Sequence, residues 1–133
     1  MKTTTQRIRW SEERGQSMTE FAIVLPILVV LLFGIVQFGI LFNNYVTLTD
    51  AARAGARAAA VSRQAADPVG AATAAVQSSA SDLNQTNLGV NISSTWAPTA
   101  PVTVTATYPY SISLLGWVIS SGTLTTKSTE AVE

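Results

Sequence analysis

No charged residue occurs from Phe21 to Thr49. The most apolar part of that gap is Phe21 to Phe42, FAIVLPILVVLLFGIVQFGILF. A bilayer core about 30 Å thick needs ~20 helical residues, so this run is long enough to cross it. Pro26, Gly34, Gln37 and Gly39 interrupt it, and membrane helices tolerate such residues better than soluble ones. A core helix of a soluble domain seldom needs so long an apolar run. A cleaved secretory signal usually has an apolar stretch of only about 7–15 residues. The small-residue block at 52–60, ARAGARAAA, lies well past the run and carries Arg53 and Arg57. The span at 21–42 is therefore read as a retained membrane helix.

The rest of the composition narrows the function. Only 12% of the 133 residues are charged, while 47% are hydrophobic, which argues against disorder. Eight basic and eight acidic residues give zero formal charge, which disfavours a nucleic-acid partner. There is no His and no Cys. Zinc sites, Cys–His nucleophiles, His bases and disulfides are excluded together. Glu12 and Glu13 are adjacent, but they lie in the polar leader rather than in a folded site. No Gly-rich phosphate loop is present. The expectation is no enzyme, no cofactor, no metal and no small-molecule substrate.

Three regions follow: a hydrophilic leader at 1–15, a long helix at 16–66 that spans a membrane at about 21–42, and a soluble domain at 67–133. Ala-rich residues 51–61 favour helix. Asp50, Arg53 and Arg57 share one of its faces, and the remaining faces are small enough for close packing. Asp67 and Pro68 read as an N-cap and first-turn proline of a second helix, from Pro68 to about Ser81. Asn84 to Asn87 is turn-like. Leu88, Val90, Ile92 and Trp96 then share one face of a candidate strand. Val102, Val104, Ala106, Tyr108 and Tyr110 alternate with polar or turn-forming neighbours in the clearest strand. Gly122 to Val132 is a third candidate. The fold class is α+β, with a long helix, a short helix and a small antiparallel sheet. The intervening LLGWVI at 114–119 is too apolar for a solvated loop and is expected to fold back beneath the sheet; the alternative is a projecting tip.

The leader ends in Arg14-Gly15-Gln16-Ser17-Met18-Thr19-Glu20-Phe21. A basic segment closes on Gly15, a carboxylate follows five residues later, and the apolar run begins at once. This arrangement resembles a type IV prepilin cleavage site. The resemblance implies cleavage between Gly15 and Gln16 on the cytoplasmic face, with the helix retained. Glu20 would then set the register of assembly, because a carboxylate in lipid needs a partner and the new amine of a neighbouring chain supplies one. Pro26 removes an N–H and is expected to kink the helix.

The resemblance extends further. Glu20-Phe21-Ala22, Leu25-Pro26, Phe33-Gly34-Ile35, Phe38-Gly39 and the block from Asp50 to Arg57 are similar to the N-terminal region of TadE-like proteins. The strand from Val102 to Tyr110 and the Thr-rich segment after it also resemble that family. Phe21 stands where a tyrosine often follows the glutamate. The family comprises pseudopilins or minor pilins of the tight-adherence pilus system. The resemblance implies a bacterial inner-membrane protein with its N-terminus cytoplasmic and its C-terminal domain outside. Its implied partners are a prepilin peptidase, other pilins, pilus-assembly membrane proteins and the lipid bilayer. The alternative is an uncleaved, membrane-anchored periplasmic interaction module.

Overall fold

The computed structural model describes residues 10–114 and 116–133. The first nine leader residues, and Leu115 of the apolar connection, lie outside them. The elements are α1 (Trp10–Val61), α2 (Pro68–Ser79), β1 (Gly89–Ser93), β2 (Pro101–Leu114) and β3 (Trp117–Ala131). The strands form one antiparallel sheet in the order β1-β2-β3. The fold is α+β, as the sequence implies. The chain divides into two compact units, Met1–Val36 and Gln37–Glu133.

In the first unit the described residues are helical throughout, through Pro26 included. Its large apolar side chains from Phe21 onward are mostly exposed, with Ile23, Ile27 and Ile35 each more than 60% accessible.

The second unit is built on an alanine stripe. Leu48, Ala51, Ala52, Ala56, Ala59 and Ala60 of α1 are buried. Their spacing keeps them on one side of a 3.6-residue helix. Arg53 and Arg57 fall on the exposed side, and Arg53 lies 3.6 Å from Asp50 with both side chains mostly in solvent. Such a pair contributes little. Val61 ends the helix, and Ala59 and Ser62 carbonyls accept the next turn's bonds from Ser62 N and Ala65 N.

The expected second helix is present. Asp67 Oδ1 accepts from Gly70 N at 2.8 Å, and Pro68 occupies the first turn, where its missing N–H is harmless. A cap of this kind contributes about 1 kcal/mol. Ala72 and Val76 are its buried residues, and Ala80, its C-cap, is buried as well.

One face of the sheet closes the core. Val102, Val104 and Ala106 are buried while Thr103, Thr105 and Thr107 face away. Val90 and Ile92 pair with Ala106 and Val104, and both pack on the core. Among the described residues, eight of the fourteen buried apolar ones are alanine. Small side chains bring the elements close, so packing here depends on short approach rather than on large buried groups. The outward face is rich in threonine, and Thr103 and Thr129 hydroxyls meet across the strands at 2.9 Å.

Two expectations are corrected. Trp96 is not on the first strand: β1 ends at Ser93, and Trp96 adopts a positive φ of 55°. Its N–H donates to Ser94 Oγ at 3.0 Å, and its ring packs against the cluster of Ala59, Ala60 and Val102. The second correction concerns residues 114–119. The described ones, Leu114 and Gly116 to Ile119, do not fold beneath the sheet. β2 and β3 continue to the pair Leu114–Trp117, where Gly116, at φ 89°, lets the chain reverse. Trp117, Val118 and Ile119 are 83%, 64% and 62% exposed. The core that covers the sheet reaches Tyr108 and Leu124, and the hairpin end at Trp117 to Ile119 lies beyond it.

Candidate functional site

The residues singled out by the leader motif lie near the start of the described helix. The Gly15–Gln16 bond is inside α1, and Gly15, Gln16 and Glu20 are all exposed. Gln16 Nε2 donates to Glu20 Oε1 at 3.1 Å. Thr19 Oγ1 donates to the Gly15 carbonyl at 2.9 Å. Residues four apart stack on one helix face, which brings these pairs together. Glu20 stands ten residues into α1, beyond the first turn where the helix dipole acts.

Gly15 has open space where a side chain would project; nothing lies within 4 Å. No packing demand accounts for it. In a helix interior glycine is about 1 kcal/mol less favourable than alanine, so the helix is weaker here than an alanine would make it. A peptide bond held in a helix must unwind before a peptidase can extend it.

Pro26 lies six residues beyond Glu20, and the helical assignment passes through it without a break. It makes no shared site with Gly15, Gln16 and Glu20. The apolar window of α1 is not buried inside the protein, unlike the core helix of a soluble domain. Among the described residues this is one helix long and apolar enough to cross a membrane. It fits a single-pass membrane anchor. No group of His, Cys, Asp or Glu able to hold a metal occurs among the described residues.

Comparison with known families decides how the segment is read. Its match is to the family described as TadE-like protein, over residues 15–57. Residues 15–57 are TadE-like. No curated protein and no solved structure matches the chain. The TadE-like segment begins at Gly15 and stops at Arg57, inside the alanine stripe. It is consistent with a TadE-like pilin component. It contains Gln16, Glu20, Pro26, the full apolar run and Gly55.

Gly55 is a residue the sequence reading passed over. It is buried on α1. A β-carbon there would collide with Val76 and sit 3.3 Å from both the Ala72 carbonyl oxygen and Val104 Cγ1. Its signal in the sequence was a glycine inside an otherwise alanine-rich helix, a costly choice unless close approach requires it.

Proposed function

We propose that the protein is a membrane-anchored structural component of a tight-adherence type pilus, assembled through its apolar helix. The observation that carries this reading is the exposed apolar run of α1 lying within the TadE-like segment. Four basic residues precede the run and the sheet follows it, which supports a cytoplasmic N-terminus and an extracytoplasmic domain. The bacterial inner membrane is the proposed location before assembly. The protein acts by packing and pairing, not by catalysis. Prepilin peptidase, other pilins and assembly proteins in the membrane are its proposed partners.

In this account the peptidase cuts between Gly15 and Gln16. The mature chain loses four basic and two acidic residues, so its side-chain charge falls from 0 to −2. Intact-mass and N-terminal analysis of membrane-extracted protein should find Gln16 at the N-terminus. Only full-length chain, from cells with an active peptidase, counts against processing. It would favour the uncleaved periplasmic interaction module. Orientation has its own test. A periplasm-dependent reporter fused after Glu133 should be active, and activity of a cytoplasm-dependent reporter there would reverse the assignment.

A further inference from the structure

Within the folded unit, one face of α1 packs on nothing. Leu48 and the buried alanines turn one side of the helix to the core, and Phe42, Val46, Asp50, Arg53 and Arg57 are exposed on the opposite side. All five belong to the unit that begins at Gln37. At 3.6 residues per turn they fall within about 40° of the line through Val46. Phe42, Tyr45, Val46, Thr49, Asp50 and Arg53 line a shallow groove of about 210 Å³ there. The face is apolar at Phe42 and Val46 and charged from Asp50 onward.

The charges on this face complement one another across a two-fold axis. Asp50 lies about 40° to one side of Val46, and Arg53 about 20° to the other. Where two parallel helices are related by a two-fold axis along their length, the left flank of one meets the right flank of the other. Val46 then meets Val46 of the second copy. Asp50 meets the second copy's Arg53, about 4.5 Å farther along the axis, and symmetry repeats the contact. Within one chain Arg53 Nη1 and Asp50 Oδ1 are 3.6 Å apart, with the side chains 64% and 65% exposed. Both therefore keep open sides for a second chain. Surface ion pairs contribute little to affinity, so these fix the level at which the helices meet, while Phe42 and Val46 supply the apolar area. A stagger of two turns keeps the same faces together but leaves a single contact, Asp50 with Arg57. In the level arrangement like charges meet only at Arg57, one turn past Arg53, so the seam ends there.

We propose that this face is the interface of a parallel two-fold dimer, with a second copy of the chain as its partner. The inference rests on the reading of α1 as a membrane anchor. Copies anchored alike run in the same direction, which places the axis along the helices. The contact is isologous and closes at two chains. The two sheets then lie on the outer sides of a central helix pair.

The chain has no cysteine, so single cysteines report the contact directly. The full protein is expressed with the complete pilus system, and membranes are oxidised with copper phenanthroline. Val46→Cys should form a disulfide-linked dimer, and Tyr45→Cys, about 100° round the helix, should not. Adding Asp50→Arg or Arg53→Asp to Val46→Cys should each reduce the dimer at least about tenfold, because like charges then oppose one another across the seam. Two differently tagged chains, one with each reversal, should cross-link to each other as efficiently as chains carrying Val46→Cys alone. Repair within one chain cannot give that result, since neither chain retains its own pair. Undiminished dimer in both single reversals overturns the proposal. Cross-linking of Val46→Cys to Arg53→Cys, without any between two Val46→Cys chains, reveals a staggered pair and overturns the level dimer. No cross-link in protein that co-purifies with pilins gives the face to another helix or to lipid, which overturns the dimer and leaves the proposed function standing. Absence of both cross-link and co-purification overturns the two together.

Discussion

Gly55→Val is expected to lower the melting temperature of the folded unit by more than ~10 °C. Position 55 faces Ala72 and Val76 of α2 and Val104 of β2. The first added carbon already meets the Val76 side chain, and two more methyl groups follow it. Val76 might turn aside if it were alone, but the Ala72 carbonyl is backbone and Val104 is itself buried. Overpacking of a tight core costs about 1–3 kcal/mol for modest additions and more where the backbone must move. Valine gains little helix propensity over glycine to offset this. For a unit of this size each kcal/mol shifts melting by ~4–8 °C. Gly39→Val is the control, because nothing lies within 4 Å of that position. Circular dichroism of both variants in detergent reads the difference. Equal melting would show that the approach at Gly55 is not limiting.

Glu20→Gln should leave membrane insertion unchanged and reduce incorporation into pilus assemblies by about a hundredfold or more. The amide keeps the length and shape of the side chain, so the change isolates the charge. In the proposed assembly that charge pairs with the N-terminal amine of an adjacent chain inside the bilayer. Leaving one member of such a pair unmatched costs several kcal/mol, and every ~1.4 kcal/mol is tenfold in an equilibrium. Glu20→Asp keeps the charge on a shorter arm and should recover part of the loss. Incorporation of Glu20→Gln at the wild-type level would reduce Glu20 to an exposed helix residue held by Gln16.

How much of this was readable in the sequence differs from element to element. The apolar run from Phe21 to Phe42 needed no tertiary information, since its length and lack of charge speak directly to a bilayer. Asp67-Pro68 and the alternation from Val102 to Ala106 were equally local signals, and α2 and β2 follow them. Trp96 was different. Alternation with Leu88, Val90 and Ile92 placed it on the strand, yet the chain leaves the sheet at Ser93 and packs the half-buried ring on the core from a left-handed backbone position. Trp117 to Ile119 failed for a related reason. Apolar residues announce that they avoid water, but not whether the chain's own core receives them. Gly55 was legible only as an anomaly, because the reason for it lies on α2 and β2. At Gly15 and Glu20 the sequence supplied the motif. The structure adds that the Gly15–Gln16 bond is helical, and that no packing requires glycine there.

The central claim is that the apolar helix joins this protein to a pilus system, and co-purification tests it most directly. Cells carrying the complete system, with the protein tagged after Glu133, are sheared to release pili, and their membranes are then solubilised in mild detergent. The account predicts recovery of the protein with pilins, in the sheared fibres or in the solubilised assembly complexes. Recovery in the membrane alone, with no pilin or assembly protein in either fraction, would contradict it.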